Sequence, residues 1–117
     1  MKLEVNDLEN SVKQISLNGR LDIQGTGEIE NAFIAHSASK KAGVLVDMSG
    51  VEFIASIGMR FLVSCAKALA GRGGKMVLLK PTPLVKDALE TAGIDTLIPI
   101  YADFDAASAA LHAAVSA

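Results

Sequence analysis

Residues 53–63 read FIASIGMRFLV, and the turn inside them, Ser56-Ile57-Gly58, is where this chain comes nearest to a reactive arrangement. It stands where the following apolar pattern marks the start of a helix. The first backbone N–H groups of a helix have no internal partner, so a serine there is either a cap or a site of chemistry. Read as the nucleophile elbow G-x-S-x-G, the stretch keeps only the second half, because Ile54 occupies the first glycine position. Such an elbow also needs a histidine and an acid from later in the chain, and His112 in an alanine-rich terminal segment is a poor donor for that role. A hydrolase built on Ser56 is therefore disfavoured.

The remaining reactive residue types fare no better. Cys65 is the single cysteine, which excludes an intrachain disulfide, and its setting FLVSCAKAL reads as a small core residue rather than a nucleophile. His36 and His112 are far apart, and neither has a neighbour at metal-ligand spacing. GRGGK, residues 71–75, looks superficially like a phosphate loop, but Met76 stands where Ser or Thr is needed and the stretch follows a helix rather than a strand. A nucleotide-processing enzyme would also need an acidic metal cluster, which is not readable here. The expectation is a protein without catalytic residues, cofactor or metal.

Composition narrows the choice of partner. Half of the 117 residues are hydrophobic and 21% are charged, which fits a single well-packed domain over residues 1–117. A net charge of −2 and five Phe or Tyr residues offer neither a basic stripe nor stacking platforms, so nucleic acid is excluded as a partner. No apolar run approaches the roughly 18 residues of a membrane helix, and MKLEVNDLEN carries acids where a signal peptide would be apolar. The expected location is the cytoplasm, without direct membrane insertion.

The elements that position the Ser56 turn are legible from periodicity. KLEV and VKQISLNG alternate apolar with polar around NDLEN, as a hairpin with one buried face does. GVLVDMS and KMVLLK are continuous apolar runs, the pattern of inner strands covered on both faces. Four helices lie between and after them. The first recurs apolar at Ile29, Ala32 and Phe33. The second starts near Ser56, buries Phe61, Leu62, Cys65, Ala66 and Leu69, and stops at GRGG. In the third, Pro83 stands early, Val85, Leu89 and Ala92 face inward, and Gly93 is the stop. IPIY follows as an edge strand, and the last helix starts at an Asp103 cap and packs through alanines, Leu111 and Val115. Such alternation predicts an α/β fold, a mostly parallel central sheet with an N-terminal β-hairpin and about four helices. Functional loops of these sheets lie beyond the strands' carboxyl ends, and SGVEFIASIG, after a strand ending at Asp47, reads as one.

The stretch VLVDMSGVEFIASIGMRFLVSCAKAL resembles the signature of STAS domains, and of anti-sigma-factor antagonists in particular. LNGRLD upstream resembles the family's Gly-x-Leu-Asp, and KMVLLK with VKDALETAGID continues the likeness in the family's order over nearly the whole chain. The resemblance implies a single STAS domain that acts as a partner switch: it binds an anti-sigma factor with serine-kinase activity, which phosphorylates it at the helix start and so releases it, and a phosphatase resets the cycle. It also implies that Asp22 lies near the site, and Asp47 matches the signature; Asp22 reads equally as a turn or cap residue, and Asp47 as one that orients the SGV turn.

One departure shapes the expectation. The family's turn reads Asp-Ser-Ser-Gly or Asp-Ser-Thr-Gly, whereas this chain has Ala55, Ser56, Ile57 and Gly58. The acceptor slot thus holds Ile57, which cannot carry phosphate, and Ser56 is the phosphorylation candidate one position earlier. The partner-binding surface is expected to comprise Asp22, Ser56, Ile57, Gly58, Met59 and Arg60, with Ile57 at least partly exposed and with Arg60 and Lys67 opposite the buried face. The alternative function is the cytoplasmic STAS subunit of a membrane transport complex, attached through another chain.

Overall fold

The computed structural model describes residues 1–8, 12–37 and 43–116, with 115 and 116 in backbone only. Strands β1 (Lys2–Asp7) and β2 (Val12–Leu21) form the antiparallel hairpin. β3 (Gly43–Ile54), β4 (Lys75–Leu79) and β5 (Ile100–Tyr101) add in parallel, giving the order β1-β2-β3-β4-β5. The helices are α1 (Ile23–Ser37), α2 (Ser56–Gly71), α3 (Pro83–Thr91) and α4 (Phe104–Ser116), with a short 3-10 turn over Ile94–Thr96. Among the described residues no helix is long and apolar enough to cross a membrane.

The continuous apolar runs do form the centre of the sheet, and the structure shows why they do not alternate. Val44 and Val46 pack with Phe33, Leu62, Leu69, Val85 and Leu89 beneath α1, α2 and α3. Leu45 and Val77 point the other way, onto Ala107 and Leu111 of α4. Strands covered on both faces need apolar residues on both. The division of helices follows from topology: successive parallel strands add in one direction, so right-handed crossovers place α1, α2 and α3 on one face. α4 follows the last strand and closes the other.

β3 corrects the sequence reading. It does not end at Asp47 but runs through Ile54, so most of SGVEFI is strand rather than loop. Its pairing with β2 passes from Ser16↔Asp47 to Asn18↔Gly50, then from Gly19↔Val51 to Arg20↔Phe53, and at each shift β3 carries one extra residue. These are bulges. The Asp47 carboxylate accepts the Ser49 N–H at 3.0 Å and so orients the first of them. Two extra residues place the inward-facing Met48, Val51 and Ile54 three apart, a spacing that is not the alternation of a regular strand.

The helix boundaries otherwise follow the punctuation in the sequence. Thr82 caps α3, accepting from the Val85 N–H, with Pro83 next. Asp103 caps α4 through the Ala106 N–H at 3.0 Å. Gly73 and Gly93 take left-handed φ values of 83° and 76° just past α2 and α3, where other residues are strained. Four packing expectations are corrected: Ala32 is exposed and Phe61 and Ala66 are half-buried rather than buried, at the margins of their helices' inner stripes, and Ala92 is exposed because it falls just past the end of α3. The side chain of Val115 and part of the hairpin turn lie outside the described residues. β1 is the sheet's edge, and its exposed Lys2 and Glu4 oppose edge-to-edge pairing.

Candidate functional site

The carboxyl ends of β2 and β3 meet in register, Arg20 beside Phe53 and Leu21 beside Ile54. The Ala55 N–H then donates to the Leu21 carbonyl at 3.0 Å, tying the start of α2 to the end of β2. GRLD and IASIGMR are thereby brought side by side on one rim, as expected. Across the ladder the Arg20 guanidinium lies 4.4 Å from the centroid of the Phe53 ring, and its Nε is 3.4 Å from Asp22 Oδ2. Arg20 and Phe53 thus flank the site, a pair that sequence reading did not single out. Its only signal was an arginine just before the Leu-Asp of GRLD.

Asp22 resolves as the cap of α1. Its Oδ1 accepts the Gly25 N–H at 2.8 Å. That bond, more than the neighbouring Arg20, holds the carboxyl below the usual carboxylate range, partial desolvation opposing it. A depressed folded-state value means that the contribution to stability is complete above the unfolded value and disappears as pH falls through the folded one. Asp22→Ala is therefore expected to melt below the unsubstituted protein at pH 7, with the gap closing as both are taken toward pH ~2, past the ordinary range of about 3.9. Melting curves across that range check it; a gap that stays constant to the acid end refutes the charged cap.

Gly58 owes its place to packing. A Cβ there would stand 2.6 Å from the Leu21 carbonyl oxygen and 2.8 Å from Leu21 Cγ, so only glycine lets α2 sit on the end of β2. Gly25 does the same for α1, where a Cβ would meet the Arg20 carbonyl oxygen at 1.8 Å. Gly58 is consequently buried, and its expected place in a partner surface is corrected: it positions the helix and presents no side chain.

Ser56 is not the cap of α2. The cap position is Ala55, whose side chain makes no bond, and Ser56 is the first helical residue, exposed and without a hydrogen-bond partner among the described residues. The start of α2 therefore has no side-chain acceptor, which leaves its positive end open to an anion. Ile57 and Met59 are half-buried and Arg60 is exposed, as is Lys67 further along the same helix. Beside them Ile23, the first residue of α1, is 75% exposed, a second accessible isoleucine at this rim. Sequence reading passed over it, although an apolar β-branched residue directly after a capping aspartate is the available signal.

The other reactive types stay apart from this rim. Burial, with Glu30 nearby, pushes the Cys65 thiol up to about 11, so it is protonated at neutral pH. His36 and His112 are half-buried on different helices, the latter 3.4 Å from Ser108. Among the described residues no group of three or more His, Cys, Asp or Glu could hold a metal ion. What the rim offers is a contact surface: two accessible isoleucines, an exposed arginine, an exposed serine and an uncapped helix start.

Comparison with known proteins gives the following. The family model described as "Mlab, STAS domain" matches residues 6–99. BtrV of Bordetella bronchiseptica, assigned as an anti-sigma factor antagonist, is 26% identical over 99 residues, 85% of this chain and 85% of its own. The anti-sigma-F factor antagonist RsfB of Mycobacterium tuberculosis is 22% identical over 92 residues, 79% of this chain and 75% of its own. The crystal structure of an anti-sigma factor antagonist from Mycobacterium paratuberculosis shares the fold with a TM-score of 0.85 at 24% identity, covering 95% of this chain and 93% of that one.

Proposed function

Because this chain belongs to the STAS-domain family, we propose that it is an anti-sigma factor antagonist, a binding protein whose residues 1–117 act as one domain in a partner-switching pathway. The observation that carries the reading is the rim at the start of α2, where Ile57, Met59 and Arg60 are accessible beside Asp22 and no catalytic group accompanies them. The names of BtrV and RsfB support it. The partner is an anti-sigma factor with serine-kinase activity. It meets an apolar contact at Ile57 and a cation at Arg60, and its docking face carries matching apolar and acidic groups.

Regulation passes through Ser56 in this reading. Its hydroxyl is exposed and unbonded, which suits it to accept a phosphoryl group better than a capping serine would be. A phosphoryl group adds about −1.5 to −2 charge at pH 7, which opposes a close contact with an acidic partner. The free domain tolerates the same charge, because the uncapped start of α2 favours anions. A phosphatase then restores the binding form.

Co-purification from the native cell tests both layers. The expected result is recovery of a kinase-like anti-sigma factor, followed, on incubation with ATP, by phosphate on Ser56 in mass spectra of the 53–67 region. Recovery of the partner with phosphate absent from Ser56 removes the switch but keeps the antagonist. Persistent absence of any such partner removes both. A second reading, the STAS subunit of a membrane transport complex, is favoured by Ile57 in the family's acceptor slot, since a structural subunit needs no phosphate there. Sedimentation of the protein with a transporter in membrane fractions separates the two.

A further inference from the structure

α1 and α2 leave between them a groove of about 500 Å³ that runs away from the rim, within the size range of small-molecule sites. Outward-facing helix surfaces are ordinarily polar, yet here Ile23 and Ile34 on α1 are 75% and 42% exposed and Ile57 lines the α2 side. Three charged residues border it: Arg60 on α2, Arg72 just past its end, and Glu30 on α1. Arg72 is partly committed, donating from Nη1 to the Ala68 carbonyl at 3.1 Å. Arg60 has neither an ion pair nor a hydrogen bond among the described residues.

A second observation is independent of the apolar walls. Thr26 borders the same groove, is 5% exposed, and its Oγ1 has no hydrogen-bond partner among the described residues. Buried hydroxyls are nearly always bonded, and one without a partner on the wall of a groove marks a place where a ligand's polar group completes the structure.

We propose that this groove binds a single-chain amphipathic carboxylate of the fatty-acid class, its head received by Arg60 and the Thr26 hydroxyl and its chain lying along Phe61, Ala68 and Ile34. Polarity sets the direction. The two helices begin at the same rim, where β2 and β3 end, so the Arg60 end also receives the favourable field of the helix starts. Glu30 lines the α1 side of the groove, and its charge repels a carboxylate toward Arg60. The chain removes the exposed Ile34 surface from water, and each methylene so buried adds to affinity. The site shares Ile57 and Arg60 with the partner rim but does not depend on who the partner is.

Dodecanoate, kept below its micelle threshold, is the probe, titrated into the isotope-labelled full chain and followed by amide chemical shifts. The expected result is saturable binding that perturbs α1 and α2, no comparable binding of dodecyltrimethylammonium, and affinity roughly tenfold or more weaker in Arg60→Gln. Ala68→Trp, which fills the groove from an exposed position, is expected to block binding without unfolding the domain. Should that variant fail to fold, Arg60→Gln still decides. Equal binding of the ammonium and carboxylate probes, or indifference to both substitutions, reduces the effect to adventitious adsorption and overturns the proposal. So does failure to bind dodecanoate together with flotation on phosphatidylglycerol vesicles, which would make the patch a membrane contact.

Discussion

Replacing Phe33 with alanine lowers the midpoint of thermal unfolding by roughly 10–20 °C, the largest effect expected of any single truncation in this chain. The ring has no exposed surface and stands edge-to-face on Phe61, 5.3 Å between centroids at 68°. It is also the main anchor of α1. That helix buries Ile29 and Phe33 but leaves Ala32, Ile34 and Ala35 in solvent, so few other apolar groups hold it to the sheet. Truncation of a fully buried phenylalanine costs about 3–5 kcal/mol, a third or more of the stability of many small domains. Calorimetry of the substituted and unsubstituted proteins measures it directly. A loss under about 1 kcal/mol would mean that α1 does not dock as described, since Phe→Ala at a packed site is not that cheap.

Ile57→Glu is expected to reduce affinity for the proposed anti-sigma partner by roughly thirtyfold or more while leaving the melting temperature nearly unchanged. The two readouts diverge for separate reasons. At the second position of α2 the side chain is half-buried at the rim, and a carboxylate in a first helical turn is favoured by the helix dipole, so the free domain loses little. In the proposed complex the same carboxylate replaces an apolar contact and is desolvated beside the acidic partner surface proposed above, an arrangement that costs affinity. The change also places negative charge in the slot that the STAS resemblance implies for the family's phosphate. Charge reversal in Arg60→Glu is expected to act in the same direction through loss of the exposed cation. Isothermal titration with the co-purified partner, paired with melts of each variant, provides the measurement. Undiminished binding places the partner elsewhere on the domain, and unfolding of Arg60→Glu would contradict the outward phase of that residue on α2.

The sequence alone determined the parts whose environment is uniform along the chain. The apolar runs VLV and MVLL within GVLVDMS and KMVLLK, bounded by turn residues, read as strands covered on both faces, because a run with no polar side has no side to turn to water. Pro83, Gly93 and Asp103 mark helix ends through their own backbone and hydrogen-bonding limits, without need of a neighbour. The likeness of VLVDMSGVEFIASIGMRFLVSCAKAL to the STAS signature lies in residue types and order, and the family match over residues 6–99 agrees with it.

Tertiary structure decided everything that depends on which element lies opposite. SGVEFI reads in sequence as a loop after a strand ending at Asp47; Met48, Val51 and Ile54 fall three apart, and only the β2 ladder, with its two extra residues on β3, makes that spacing a buried strand face. Gly58 is required by the Leu21 carbonyl, a partner 37 positions away that no local pattern announces. Ser56 reads as a cap in sequence, yet the extended backbone ends one residue earlier, at Ala55, so its hydroxyl is left exposed. The groove between α1 and α2 exists because successive parallel strands and right-handed crossovers set the two helices on one face. Periodicity records which side of an element is apolar, while the identity of what covers that side is a property of pairings distant in sequence, and those are settled only when the chain closes on itself.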